Sequence, residues 1–204
     1  PGHARRVARA LVERFPGREI FCFDRLDETH PRSRPPADHL YLGEFTKAEI
    51  LIQGLEALPS ASLKESNAIF ICRYNTRFEL YEKKGDLDLS YQLSLELKKE
   101  FPVYSKRLSE QYTAHLLYYA FRSCFYVREF KDAQTWLNLI LKTGSYAKQE
   151  VVAIARISEM ILHYERQNFD SIEQLVGSAE RLFEKNQGLY KFEQVMIAFF
   201  RQHG

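Results

Sequence analysis

Apolar residues recur every three or four positions through most of the chain. Ala133, Trp136, Leu137, Ile140 and Leu141 step i, i+3, i+4, i+7, i+8, a broad helical stripe. Ile172, Leu175, Val176, Ala179, Leu182 and Phe183 keep the same period, and Leu89, Leu93 and Leu97 form an i, i+4, i+8 line. No window alternates with a period of two, so no strand is required. Gly85, Gly144 and Gly188, with Pro59 and Pro102, fall between these stretches as stops. The pattern predicts three helix pairs, 62–84 with 87–100, 106–127 with 131–142, and 148–167 with 170–186. A last helix over 189–202 remains unpaired, and the fold class is all-α.

The chain also repeats itself. Tyr41-Leu-Gly-Glu-Phe45-Thr-Lys-Ala48 aligns with Tyr126-Val-Arg-Glu-Phe130-Lys-Asp-Ala133. Tyr164 to Ile172 repeats the theme with one extra residue, and Tyr81-Glu-Lys-Lys-Gly-Asp-Leu87 is a looser copy. An aromatic or leucine anchor thus stands at 45, 87, 130 and 169, at intervals of 42, 43 and 39. Each copy ends a long helix, turns tightly and starts a shorter one. Such a pair cannot bury its apolar faces alone and needs stacked neighbours.

These turns, with Phe130 followed by the small Ala133, resemble the tetratricopeptide repeat. Ser90 and Ile172 stand where that repeat has its small alanine. The stretch 62–202 is similar to an uncharacterised group of tetratricopeptide-like helical proteins of Bacteroidetes-type bacteria. The similarity lies in Arg73-Tyr-Asn75, Ala133-x-x-Trp136-Leu-Asn138, Ala155-Arg156-Ile157, Ile161-Leu-His163-Tyr164-Glu and Leu189-Tyr-x-Phe192-Glu. The resemblance implies a right-handed α-solenoid of stacked antiparallel helix pairs over residues 45–204, and no assigned activity. Residues 1–44 depart from it. The first 39 hold eight arginines and no lysine, and Pro16, Pro31, Pro35 and Pro36 break any long helix there. One short helix over His3–Phe15 and an irregular loop are expected. The chain opens at Pro1 rather than Met, so it reads as a trimmed piece of a longer protein.

Composition narrows the function. A net charge of +2 is too balanced for binding nucleic acid by charge alone, although Arg5, Arg6, Arg9, Arg14 and Arg18 give the head a basic cluster. No apolar run approaches the roughly 20 residues of a membrane span, so no membrane partner is expected. Cys22, Cys72 and Cys124 are odd in number and far apart, which fits a reducing, cytoplasmic setting. The six histidines are scattered without metal-ligand spacing; His30 and His39 beside Asp38 read as solvated loop residues. No phosphate-binding loop and no Gly-x-Ser-x-Gly occurs, and Cys72 and Cys124 fall on apolar helix faces. Neither catalysis nor a metal or cofactor is expected.

A non-catalytic scaffold binding protein or peptide is the leading reading. The alternative is a ligand- or peptide-sensing regulatory domain of a longer protein, such as a transcription regulator. In tetratricopeptide stacks the first helix of each pair lines the concave face. Counting back 12 residues from the anchors at 87, 130 and 169, with one more for the extra residue in the last, gives Asn75, Tyr118 and Arg156, and counting back eight likewise gives Glu79, Arg122 and Met160. His115 and His163 flank them. This polar, Tyr- and Arg-bearing groove suits an extended peptide or a helix. The crowd of rings from Tyr104 to Tyr126 is expected to leave some aromatics on a surface. On the last helix Phe192, Val195, Met196, Phe199 and Phe200 make a stripe broad enough to predict a homodimer contact or a further helix beyond it.

Overall fold

The computed structural model describes residues 40, 42–57, 59–143, 149–185 and 191–203. Most of these residues are helical and none lies in a strand, so the described part of the chain is all-α. The helices are α1 (Phe45–Glu56), α2 (Leu63–Lys84), α3 (Leu87–Tyr104), α4 (Glu110–Tyr126), α5 (Phe130–Thr143), α6 (Gln149–Glu165), α7 (Phe169–Lys185) and α8 (Lys191–His203). None of them is long and apolar enough to cross a membrane. The head expected over 1–39, with its arginine cluster and His30, His39, Asp38 and Cys22, lies outside the described residues.

Local chemistry sets the helix ends. Ser62 and Ser109 cap α2 and α4, each hydroxyl accepting a backbone N–H three residues on, from Glu65 and Tyr112. The Glu65 carboxylate returns to accept the Ala61 N–H at 2.7 Å, which ties the entry of α2 from both sides. All four repeat anchors, Phe45, Leu87, Phe130 and Phe169, are first residues of helices. Two residues before each anchor the backbone turns left-handed, at Gly43 (φ 74°), Gly85 (77°), Arg128 (66°) and Gln167 (58°). In the last three turns the same two hydrogen bonds close the preceding helix. Asp86, Glu129 and Asn168 donate to the carbonyls of Tyr81, Cys124 and His163, and Gly85, Arg128 and Gln167 donate to Glu82, Phe125 and Tyr164. This six-to-one, five-to-two pattern is the Schellman motif. The residue three beyond each anchor, Ala48, Ser90, Ala133 or Ile172, is fully buried.

The chain divides into two compact units, one within Leu26–Trp136 and one within Leu137–Gly204, so the division falls inside α5. In the first, α2, α3 and α4 touch one another mutually, and α1 packs on α2. The pairs Arg73–Glu100 and Arg77–Glu96 run α2 antiparallel to α3. Phe78–Tyr119 and Glu82–Arg122 run α2 parallel to α4. Phe70, Tyr74, Phe78, Leu93, Leu97, Leu116 and Leu117 fill the core between them. Leu40 joins Ala48, Ile52 and Leu80 beneath α1, so the packed region begins before residue 45. In the second unit α6, α7 and α8 are again in mutual contact.

Three expectations are corrected. Pro102 does not stop α3, which continues to Tyr104. The loss of one amide is outweighed locally because the Tyr104 ring stacks on Phe70, centroids 3.9 Å apart, and anchors the extra turn. Leu89 is exposed, and its place in the α3 stripe is taken by buried Ser90 and Ser94, whose hydroxyls bond Ser123 at 2.7 Å and the Cys124 thiol at 3.3 Å. The last helix does not present its phenylalanines as an open stripe. Met196 and Phe200, with Ile197, enter a core shared with Ala153, Ile157, Met160, Ile172, Val176 and Ala179, and Phe192 and Phe199 are half-buried against it. Of the expected stripe only Val195 stands exposed.

Candidate functional site

The five first-unit groove residues lie on α2 and α4, whose parallel register is offset by about one repeat. Glu79, His115 and Tyr118 lie within electrostatic reach of Arg122, which centres a polar seam between the two helices. Its guanidinium donates to the Glu82 carboxylate at 2.7 Å across the two helices and to the Tyr126 hydroxyl at 3.2 Å along its own. The two side chains of the ion pair are only 14% and 12% exposed. The guanidinium also lies over the rings of Tyr119 and Tyr126, 5.8 and 5.7 Å from their centroids. Tyr119 in turn stacks on Phe78 and on His115.

Burial governs the protonation of this seam. It pushes the Glu82 carboxyl above the ordinary range, against the pull of Arg122, and raises Glu79 against Lys83 and Arg122. Burial alone would lower Arg122, but Glu82 and Tyr126 more than reverse this and leave it raised. Burial and the Arg122 charge lower His115 to about 4, so its imidazole is neutral at pH 7.

The seam is less open than the sequence predicts. Asn75, 5% exposed, and His115, 8% exposed, are buried and do not line an open face. Both amide atoms of Asn75 are unpartnered. Arg122 is not a free cation, because a guanidinium at this depth needs its counter-charge. Glu79, 3.9 Å from Lys83, and Tyr118 are half-buried. No described side chain of α4 is exposed, and the rings expected on a surface are buried or half-buried, in the series Tyr118–Phe121, Phe121–Phe125 and Phe125–Phe130. In the second unit Arg156 pairs with Glu159 at 2.9 Å one turn on, and His163 bonds the Asn168 amide at 3.0 Å. Both are half-buried, and burial lowers His163.

Sequence reasoning missed Glu82, Tyr119 and Tyr126. The repeat carried a signal for Glu82, which stands 40 residues before Arg122, close to the repeat interval. Burial pushes the Cys124 thiol up to about 11 and raises Cys72, the reverse of what a nucleophilic thiolate needs. Among the described residues no group of three or more His, Cys, Asp or Glu is placed to hold a metal ion. Compared with known proteins, the chain matches no family model, no curated protein and no solved structure.

Proposed function

We propose that the protein is a tetratricopeptide-like scaffold, a right-handed stack of antiparallel helix pairs that binds protein or peptide along its first helices without catalysis, in the cytoplasm. The observation that carries this reading is the recurrence of one turn. A left-handed residue stands two positions before each of Phe45, Leu87, Phe130 and Phe169, and one hydrogen-bond pattern closes the turns at Gly85, Arg128 and Gln167. The mutual contacts of α2, α3 and α4, repeated by α6, α7 and α8, are what stacked pairs produce. Stacks of this kind present their first helices as extended binding surfaces, and Glu79 and Tyr118, with Arg156 and His163 in the second unit, are the half-buried polar groups offered there.

The test is a binding measurement on two variants that leave the buried Glu82–Arg122 pair intact. A protein captured from the native lysate is identified, purified and titrated against wild type, Glu79→Lys and Arg156→Glu. At least one reversal is expected to weaken binding about tenfold, some 1.4 kcal/mol, with the far-UV circular dichroism of the variant unchanged. Selective capture failing, or affinity unchanged in both variants, would remove the groove from consideration.

A further inference from the structure

Ion pairing in the first unit is uneven along its length. Arg73, Arg77, Lys83, Lys84, Lys98 and Arg122 each face a carboxylate. Lys64, Lys99, Lys106 and Arg107 form no ion pair among the described residues, and all four are exposed. Because α2 and α3 are antiparallel, the start of one lies beside the end of the other, and these four cations gather at that end. The Asn67 amide donates to the Arg107 carbonyl at 3.2 Å, which fixes the turn after α3 one helical turn from Lys64. Lys99 and Val103 lie one helical turn apart on α3, and Lys106 stands in the turn that follows it. Lys131, at the start of α5, stands apart at the opposite end. Of the acids described here, Glu65 accepts the Ala61 amide and Glu100 is engaged by Arg73.

Apolar side chains stand exposed among the cations. Leu63 is 67% and Val103 59% exposed, and Pro102 is exposed beside Val103. Of the rings at this end, Tyr104 is stacked on Phe70 with its hydroxyl 3.4 Å from Ser66, and Phe101 and Tyr112 are half-buried.

We propose that this end of the first unit docks on the surface of an anionic lipid bilayer, with Lys64, Lys99, Lys106 and Arg107 at the headgroups and Leu63 and Val103 entering the interface. This surface is separate from the groove of the first helices. A bilayer satisfies both kinds of residue at once, since it offers a plane of negative charge over an apolar layer. Nucleic acid would engage the cations but leave Leu63 and Val103 in water, and Tyr104 is not free to stack on a base. A peptide would need a groove or a sheet edge, whereas the cations stand on a helix end and a turn. That no described helix is long and apolar enough to span a membrane bears only on crossing it, not on lying against it.

Co-sedimentation of the full chain tests this with vesicles of phosphatidylcholine alone and with about 30% phosphatidylserine, in about 0.1 M salt. Binding is expected only to the anionic vesicles. Each neutralised lysine should cost about fivefold in partitioning, so Lys99→Gln with Lys106→Gln should lose about 25-fold. Val103→Ser should weaken binding with the charge of the patch unchanged, which simple attraction to a polyanion would not predict. Lys64→Gln with Arg107→Gln provides an independent second pair, and unchanged far-UV circular dichroism checks folding in all variants. Equal binding to both vesicle types, or full binding by the two double variants, overturns the proposal. So does competition by duplex DNA combined with indifference to Val103→Ser, which would assign the patch to nucleic acid.

Discussion

The four left-handed turn residues allow a matched pair of substitutions with opposite signs. At Gly85 (φ 77°) nothing lies within 4 Å of where a Cβ would sit, so Gly85→Ala meets no clash and its effect is conformational. Holding an L-residue in this region costs about 1–2 kcal/mol. Alanine recovers about 0.5–1 kcal/mol through the lower entropy of its unfolded chain, leaving a net loss of about 1 kcal/mol. Gln167 (φ 58°) occupies the equivalent place before α7 with an exposed side chain, so Gln167→Gly should reverse the sign and stabilise by up to about 1 kcal/mol. Neither change removes the turn bonds, Asp86 N–H to Tyr81 at 2.8 Å and Asn168 N–H to His163 at 2.9 Å. Urea unfolding followed by far-UV circular dichroism reads the effect as a midpoint displaced by about 0.3–1 M at constant slope. A neutral Gly85→Ala, or a Gln167→Gly that destabilises, would refute the equivalence of the turns.

Three further outcomes follow from the seam and the core. Glu82→Ala should cost about 3–5 kcal/mol by stranding the buried Arg122 charge, whereas Glu82→Met with Arg122→Met should lie close to wild type, both read by thermal unfolding. Trp136, 2% exposed and edge-on to Phe101 at 6.4 Å, should lose about 3–5 kcal/mol as Trp136→Ala in chemical denaturation. His115 is held at about 4 against 6.5 unfolded, so the folded chain binds fewer protons and stability is lost as pH falls from about 6.5 towards 4, by up to roughly 3 kcal/mol. The raised Glu79 and Glu82 act in the opposite sense, so the His115 contribution is the difference between wild type and His115→Phe across that window, and parallel pH curves would refute it.

The sequence by itself determined what is local. A helix is declared by its apolar period and its ends by short-range hydrogen bonds, so the anchors at 45, 87, 130 and 169 mark helix starts and Ala133, Trp136 and Ile140 are buried as their spacing requires. The tertiary structure alone decided which residues of a face meet a neighbour. Period marks a direction around the helix, but burial depends on how many helices lie on that side. α3 therefore turns Ser90 and Ser94 inward and leaves Leu89 in water, and α8 chooses Ile197 over Val195. The candidate groove shows the same limit. Spacing brought Asn75, Glu79, His115, Tyr118 and Arg122 to two helices. The parallel packing of α2 on α4 then buried Asn75 and His115 and gave Arg122 to Glu82, because a cation in that depth is stable only beside its counter-charge.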